Sequence, residues 1–177
     1  MKLFVATDIH GSAYYAECVV EKFKASGADF LVLLGDVYNH GPRNPFPRDY
    51  APMKVSELLN SVSDKIIAIQ GNCDSDVDQM ISRFTFVKHN VLPLGNRKLF
   101  LTHGNVYNKD NLPELSCGDV IMYGHFHRNE AGKANGVYFV NVSSVSLPKD
   151  VSAYALVEET GVTLYGLDGE VILTLSF

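Results

Sequence analysis

The chain lacks several features that would place it in common classes of protein. Its 177 residues carry no basic surplus, since 15 Lys and Arg stand against 20 Asp and Glu for a formal net charge of −5. Without such a surplus, bulk nucleic-acid binding is not expected. No apolar run approaches the roughly 20 residues that a membrane-spanning helix needs. We therefore expect neither a nucleic-acid nor a membrane partner.

Cysteine is scarce and is not arranged in pairs. Cys18, Cys73 and Cys117 are odd in number and widely spaced, and no CxxC motif occurs. This pattern indicates neither a disulfide framework nor a thiolate zinc site, and a reducing cytoplasm is the expected compartment. The N-terminal run "MKLFVATDIHG" is interpreted as a first strand, because it has no cleavage site of small residues and Asp8 interrupts it.

The first half of the chain alternates strand-like and helix-like segments, whereas the second half consists mostly of strand-like runs with short turns. The first pattern predicts parallel β-strands joined by helices, so we expect an α/β fold. The absence of repeats and linkers predicts one domain over residues 1–177. The predicted segments are strands 2–7, 29–35 and 65–71, helices 12–27 and 51–63, a proline-rich loop 38–50, and later strands 98–104, 119–125, 137–142, 152–159, 162–167 and 170–177.

Five apolar runs end at residues that can bind a metal ion. In open α/β sheets, ligands bind beyond the carboxyl ends of the strands, so these side chains are expected to converge. The seven residues are Asp8, His10, Asp36, Asn72, His103, His125 and His127. Each short motif alone is a common turn or strand end, and only their joint occurrence indicates a metal centre.

The donor types indicate which metals the site would bind. Imidazole nitrogen, carboxylate oxygen and amide oxygen, without thiolate, favour Mn, Fe, Zn or Co over Ca or Mg alone. Seven ligands exceed one tetrahedral site, so a two-metal centre for phosphoryl displacement is the simpler interpretation. Asp36 is the expected bridging carboxylate, because it stands alone at the end of a central strand.

Two residues of the proline-rich loop are candidates for substrate contact. Arg43 can bind phosphate oxygens in a bidentate manner, and His40 in the same loop is the alternative. His89 lacks this context and is expected to be a surface residue.

The ordered motifs "DIHG", "GDVYNHG", "GNCD", "THG" and "GHFH" resemble those of calcineurin-like metallophosphoesterases. The resemblance covers nearly the whole chain, and "GDVYNHGPRN", "GNCDSDVDQM" and "SVSLPK" are similar to the small bacterial YfcE-type phosphodiesterases. It implies a four-layer α/β/β/α sandwich with a two-metal site at its upper edge. It also implies a homo-oligomer, a dimer or tetramer, for which the aromatic-bearing loop 44–52 is either a contact surface or a lid.

The resemblance also implies residue roles. One metal would be held by Asp8, His10, Asp36 and His127, and the other by Asp36, Asn72, His103 and His125. Two divalent transition-metal ions are expected, with Mn²⁺ first and Zn²⁺, Fe²⁺, Ni²⁺ or Co²⁺ as alternatives. His10, Asp36, Asn72 and Cys73 are the expected catalytic residues, and Cys73 also lies where relatives contact the substrate phosphate.

The chain departs from the family pattern in two places. Cys73 stands where relatives have a histidine, and a neutral thiol is a poor general acid that carries no positive charge. Asp74 keeps the place of the acidic residue that would orient that histidine. Ser143 occupies a position where glycine is usual, and Ser144 after it is expected to face the site.

Two classes of function compete. The first is a metal-dependent phosphoesterase, most readily a phosphodiesterase that hydrolyses a small phosphoester, with phosphomonoesterase as a variant. The second is a non-catalytic metal-binding scaffold of the same fold, similar to the retromer subunit that resembles these enzymes. A complete ligand set favours the enzyme, because a scaffold has little need of the bridging aspartate and all four histidines. A phosphoprotein phosphatase is less favoured, because the chain has little room for the insertions that recognise a protein substrate.

Overall fold

A computed structural model describes residues 1–177, and two β-sheets packed face to face form its centre. The first sheet has seven strands in the order β12-β11-β10-β1-β2-β3-β4. Strands β1 to β4 are parallel, while β10 to β12 are antiparallel to their neighbours. Its strands are β1 Leu3–Ala6, β2 Phe30–Leu33, β3 Ile66–Ile69, β4 Phe86–Val87, β10 Ala153–Glu158, β11 Gly161–Gly166 and β12 Val171–Ser176.

The second sheet has five strands in the order β5-β6-β7-β9-β8. Its three central strands are parallel, and an antiparallel strand closes each edge. Its strands are β5 His89–Leu94, β6 Arg97–Thr102, β7 Val120–Tyr123, β8 Glu130–Ala134 and β9 Val137–Asn141. The five strands expected to end in ligands are therefore divided between two sheets.

Three α-helices connect the early strands: α1 Ala13–Ser26, α2 Pro52–Asn60 and α3 Asp76–Ile81. The ends of α1 follow from its sequence. Ser12 caps it by accepting a hydrogen bond from the Tyr15 amide, and Gly27 ends it in the left-handed region at φ 67°. Pro52 occupies the first turn of α2, where its missing N–H costs nothing. No helix has the length and apolar character needed to cross a membrane.

Strand β1 shows how the layers are held together, because it is buried on both faces. Phe4 and Ala6 pack against the helices, whereas Leu3 and Val5 pack against the second sheet. Such continuous burial is typical of parallel strands, and burying one such side chain contributes about 1.5–3 kcal/mol. The inter-sheet core fixes the relative position of the two sheets and therefore of their strand ends.

The outer face of the second sheet is covered by the irregular segment 105–118. Tyr107, Leu112 and Leu115 of this segment pack against a cluster that includes Phe100 and Phe139. The expected pair of central sheets and the helical layer on the first sheet are present. The outer layer on the second sheet contains no helix.

Several element boundaries differ from the sequence-based expectation. The predicted second helix (51–63) ends at Asn60 and is followed by a short 3-10 turn at Ser63–Lys65. Helix α3 and strands β4, β5 and β8 were not predicted. Strands β4, β5 and β8 lie at sheet edges, and α3 buries no residue, so the hydrophobic periodicity that reveals buried elements is weak in all four.

Candidate metal centre

All seven predicted ligands lie at the carboxyl ends of parallel strands. The β1–β3 ends of the first sheet meet the β6 and β7 ends of the second sheet at the same edge of the sandwich. We call these residues the ligand cluster: Asp8, His10, Asp36, Asn72, His103, His125 and His127. Five of the seven are buried, while Asn72 is exposed and His125 is half-buried.

One part of the cluster consists of Asp8, His10 and His127. The Nε2 atoms of His10 and His127 are 3.2 Å apart. The Asp8 Oδ1 atom lies 3.3 Å from His127 Nε2 and 3.6 Å from His10 Nε2. Three potential ligand atoms thus surround one point.

A second part contains Asn72, His103 and His125. The Nε2 atom of His103 lies 3.1 Å from Asn72 Oδ1 and 3.2 Å from His125 Nδ1. Asp36 lies between the two parts, because its Oδ2 atom is 3.4 Å from His103 Nε2 and 3.9 Å from His10 Nε2. This is the position that a bridging carboxylate requires.

Backbone carbonyl groups orient three of the histidines. The Nδ1 atoms of His10, His103 and His127 lie 2.8, 2.8 and 2.6 Å from the carbonyl oxygens of Asn39, Leu34 and Leu147. A carbonyl oxygen can only accept, so each Nδ1 carries a proton and each Nε2 is the ring nitrogen that faces the cluster. His125 differs, because its Nδ1 atom faces the cluster.

The convergence of acceptors fits a bound cation. The Nε2 atoms of His10 and His127 face each other, and the buried Asp8 Oδ1 atom has no hydrogen-bond partner. The other Asp8 oxygen accepts from the Thr7 hydroxyl and the His125 amide, which leaves Oδ1 directed at the histidines. A buried acceptor without a donor is costly, and a divalent cation would satisfy all three atoms.

The electrostatics of the cluster favour positive charge. Burial opposes ionisation of Asp8, but the adjacent imidazoles of His10 and His127 outweigh it and hold the pKa of its carboxyl far below the usual range. Burial likewise opposes protonation of His103, yet the adjacent Asp36 carboxylate raises the pKa of its imidazole to about 9. The carboxylates therefore stabilise a cation at the position of these nitrogens.

The backbone at the cluster is unusual. Seven non-glycine residues of the chain have positive φ, and five of them are in the ligand cluster, at φ values between 52° and 65°. They are Asp8, His10, Asp36, His125 and His127. A non-glycine residue in this region costs of order 1–3 kcal/mol, and such residues concentrate at functional sites. Strand-end motifs predict a turn, but they do not reveal this strain.

Two glycines allow the close approach of the ligands. A Cβ atom at Gly124 would lie 2.1 Å from Thr7 Oγ1 and 2.5 Å from Asp8 Oδ2. At Gly71 it would lie 2.1 Å from Asp36 Oδ1. Neither position has room for any side chain, which accounts for glycine in "GNCD" and "GHFH".

Asp74 has a different task from the expected one. Its buried carboxylate accepts 2.8 Å hydrogen bonds from the backbone amides of Asp36, Val37 and Gly71. Burial raises the pKa of this carboxyl to about 6. The carboxylate thus joins the end of β2 to the end of β3, and it is not free to orient a side chain at position 73.

Cys73 lies beside the bridging aspartate. Its amide donates to Asp36 Oδ1 at 2.8 Å, and its Sγ atom accepts from Asn72 Nδ2 at 3.3 Å. Burial, reinforced by the Asp36 carboxylate, raises the pKa of the thiol to about 12, so the thiol is neutral. A Cβ atom added at Gly41 would lie 2.8 Å from Sγ, so the proline-rich loop closes over this residue.

The serines after β9 support Asp8 rather than line the site. The hydroxyls of Ser144 and Ser146 both donate to the Asp8 carbonyl, at 2.7 and 2.9 Å. Ser143 donates to the His127 carbonyl at 2.9 Å. All three are buried, so the expectation that Ser144 faces the site is wrong: its hydroxyl is occupied by backbone groups.

A cavity of about 650 Å³ opens above the ligand cluster. Asp36, Asn72, Cys73, His125 and His127 line its inner part. Four further residues form what we call the cavity rim: Pro42, Arg43, Phe126 and Lys149. Phe126 and Lys149 were not predicted from the sequence, because neither stands at a motif position that binds metal.

The two loop candidates for substrate contact are placed differently. Arg43 lines the cavity, whereas His40 does not. The His40 ring packs against Phe46 and Tyr50, with centroid distances of 4.4 and 5.3 Å. His40 therefore shapes the loop instead of lining the site. His89 is exposed, as expected, and stacks on Phe100.

Comparisons with known proteins are consistent with this geometry. Residues 1–161 match the calcineurin-like phosphoesterase superfamily domain. A curated protein of Escherichia coli strain K12 named Phosphodiesterase YfcE is 45% identical over 177 residues, which span 98% of this chain and 96% of the relative. A solved structure described as YfcE, a phosphoesterase from E. coli, has a TM-score of 0.96 at 44% identity and covers 99% of both chains.

A more distant structure shares the fold alone. Wild-type Vps29 from Entamoeba histolytica, solved in complex with Zn²⁺, has a TM-score of 0.62 at 17% identity and covers 99% of both chains. Only the fold follows from a likeness at this level.

Proposed function

Because this chain belongs to the calcineurin-like phosphoesterase superfamily, we propose that it is a phosphodiesterase that uses two divalent metal ions to hydrolyse a small phosphoester. The chain is an enzyme of phosphoester hydrolysis. The observation that carries the finer proposal is the position of Asp36 between the two groups of ligand atoms, with its Oδ2 atom 3.9 Å from His10 Nε2 on one side and 3.4 Å from His103 Nε2 on the other.

Each ion has its own ligand set in this proposal. Asp8, His10, Asp36 and His127 would hold one ion, and Asp36 with Asn72, His103 and His125 would hold the other. Nitrogen and oxygen donors suit Mn²⁺, with Zn²⁺, Fe²⁺, Ni²⁺ or Co²⁺ as alternatives. Cys73 stays outside both sets in this proposal, although its sulfur lies near His10 and Asp36, because the seven nitrogen and oxygen donors already supply four ligands to each ion.

Two bound divalent ions would supply a nucleophile at neutral pH and would neutralise the charge that develops on the phosphoryl oxygens. The chain's own residues would orient the imidazoles and bind the substrate. The Asn39, Leu34 and Leu147 carbonyls keep each imidazole proton on Nδ1, so that Nε2 stays free of it. Arg43 is proposed to bind the non-bridging phosphate oxygens from the cavity rim.

The preference for diesters follows from residue 73. An imidazolium there would add positive charge for a dianionic monoester and a proton for the leaving group. The neutral Cys73 thiol provides neither, so a singly charged diester with a good leaving group is the better substrate. The scaffold alternative is not favoured, because the cavity rim presents a cation that non-catalytic metal binding would not require.

The remaining expectations belong to the same proposal. A cytoplasmic location is proposed because the three cysteines are all free, as is usual in a reducing compartment. A homo-oligomer, dimer or tetramer, would use the loop 44–52, in which the Phe46 side chain is 68% exposed.

A direct experiment tests the function. Purified protein, stripped by a chelator and reloaded with Mn²⁺, Zn²⁺, Ni²⁺, Co²⁺ or Mg²⁺, is assayed with bis-para-nitrophenyl phosphate and para-nitrophenyl phosphate. We expect diester hydrolysis that depends on added metal and exceeds monoester hydrolysis. Equal activity in stripped protein, or monoester hydrolysis alone, would contradict the proposal.

A further inference from the structure

The cavity rim carries chemistry that the metal centre does not use. The chain has 20 acidic residues, yet the only carboxylate among the residues that line the cavity is the candidate ligand Asp36. Two cationic side chains, Arg43 and Lys149, line the same cavity. One cationic side chain is enough to bind the phosphate of a diester. With Arg43 proposed for that phosphate, Lys149 has no assigned partner.

Lys149 is held near the ligand cluster by its backbone. Its amide donates to the His127 carbonyl at 2.9 Å, and the His127 ring is fixed in turn by the Leu147 carbonyl at 2.6 Å. The ammonium group forms no ion pair or hydrogen bond within the chain. The neighbouring Asp150 does not line the cavity, and its carboxylate accepts a hydrogen bond from the Asn129 amide at 3.4 Å.

Phe126 places an aromatic ring between the two cavity-lining histidines in the sequence "GHFH". The residue is 38% exposed and lines the cavity. The ring makes edge contacts with His125 and Tyr123, at centroid distances of 5.1 and 6.0 Å. These contacts fix its orientation while leaving part of its surface at the cavity.

We propose that Phe126 and Lys149 are specificity-determining residues for a diester whose retained substituent is planar and aromatic and carries an anionic group of its own. Phe126 packs against the ring of this substituent, and Lys149 binds its carboxylate or second phosphate. The inference rests on the proposed phosphodiesterase function and adds the chemical class of the substituent that stays on the phosphate after hydrolysis.

Three diesters with the same leaving group separate these contacts. They are para-carboxyphenyl para-nitrophenyl phosphate, its neutral para-carbamoylphenyl analogue, and methyl para-nitrophenyl phosphate. Differences in intrinsic reactivity cancel when the ratio of kcat/KM values for two substrates is compared between wild type and variant.

The lysine contact is tested with Lys149→Gln and a matched control, Lys65→Gln. Both variants change the net charge equally, but Lys65 is exposed at the opposite end of β3 from the cavity. Rim ion pairs are weak, so we expect Lys149→Gln to lower the carboxyl-to-carbamoyl ratio by about two- to fivefold, mainly through KM. Lys65→Gln should leave the ratio unchanged. An equal change in both variants, or none in Lys149→Gln, would overturn the assignment.

The aromatic contact is tested with Phe126→Leu, which keeps apolar bulk and removes the ring. The carbamoylphenyl-to-methyl ratio should fall by about threefold to tenfold, the range measured for aromatic pairs. An unchanged ratio would refute the role of Phe126.

A binding measurement distinguishes failure of this inference from failure of the proposed function. Calorimetry with phenylphosphonate and para-carboxyphenylphosphonate, which cannot be hydrolysed, requires no turnover. Tighter binding of the carboxylated ligand to wild type than to Lys149→Gln supports the inference even if diester hydrolysis is absent. Equal binding refutes it, even in a protein that hydrolyses diesters well.

Discussion

The ligand cluster and the cavity rim are built in opposite ways. The cluster stands at the ends of core strands, is mostly buried, and is braced by carbonyls, by Asp74 and by the serines after β9. Arg43, Phe126 and Lys149 of the rim are exposed and make few polar contacts within the chain. In the proposed function, the cluster would carry out the reaction and the rim would select the substrate. Substitutions in the cluster should therefore affect every substrate, and most rim substitutions should discriminate between substrates.

The largest effect is expected at Asp36, where the two parts of the cluster meet. Asp36→Asn keeps shape and tolerates the local φ of 54°, but it removes the charge that both ions would share. We expect activity on all phosphoesters to fall by about a thousandfold and metal content to drop below two ions per chain. Metal analysis alongside kinetics measures both, with Asp64→Asn as a control for the lost charge. Full metal content with wild-type rates would show that Asp36 is not a ligand.

Substitution of Asp74 tests whether the hydrogen bonds that support the ligand cluster contribute to the stability of the fold. Asp74→Asn replaces one of the accepting oxygens by an amide donor that faces backbone N–H groups. The free energy of unfolding should fall by about 1–3 kcal/mol, which corresponds to about 2–12 °C in Tm for a chain of this size. Thermal unfolding of metal-free protein gives the value directly. The exposed Asp76→Asn serves as control, and equal melting of the two variants would argue against the brace.

Arg43 is a rim residue whose effect should nevertheless extend to all phosphoesters, because it is proposed to bind the phosphate itself. Arg43→Ala should lower kcat/KM by about tenfold for monoesters and diesters alike, as expected for loss of one charge-assisted hydrogen bond. The loop residue Arg48, which stacks on Tyr14 and does not line the cavity, provides the control Arg48→Ala. Unchanged kinetics in Arg43→Ala would assign the residue to a solvated loop.

Substitutions of Cys73 should change the rates least, but the pattern of the change is the most informative. In the wild type, rates should fall steeply as the leaving-group pKa rises, because no residue at this position donates a proton. Cys73→His should weaken this dependence, so that the rates for alkyl esters and monoesters rise by about a few-fold. Cys73→Ser should be nearly silent, because the thiol is neutral.

The contrary result at Cys73 would also be clear. If Cys73 only leaves room for a bulky diester, Cys73→His would crowd Gly41 and slow diesters without helping monoesters. If the wild-type rate did not depend on leaving-group pKa, with chemistry rate-limiting, the proposal that no residue at position 73 protonates the leaving group would be wrong.

The sequence predicted the fold and the convergence of the candidate ligands for a physical reason. Residues such as Asp36 and His103 directly follow apolar runs, so local pattern and topology together locate them at one edge. The bracing groups could not be found in this way. Ser144 reaches Asp8 across 136 positions of the chain, and Lys149 reaches His127 through a backbone hydrogen bond between distant loops. The packing of His40 against Phe46 and Tyr50 could not be predicted either, because a loop histidine beside a motif gives no sign of its aromatic neighbours.

The left-handed backbone at five candidate ligands has a consequence for the history of such a chain. If selection for metal chemistry were lifted, these positions would not be free to accept any residue, because β-branched side chains are strained at positive φ. Drift would be channelled toward Asn, Asp and Gly, which tolerate that conformation. A descendant that had lost its activity would thus keep a recognisable record of it in backbone-compatible residues, long after the histidines themselves had gone.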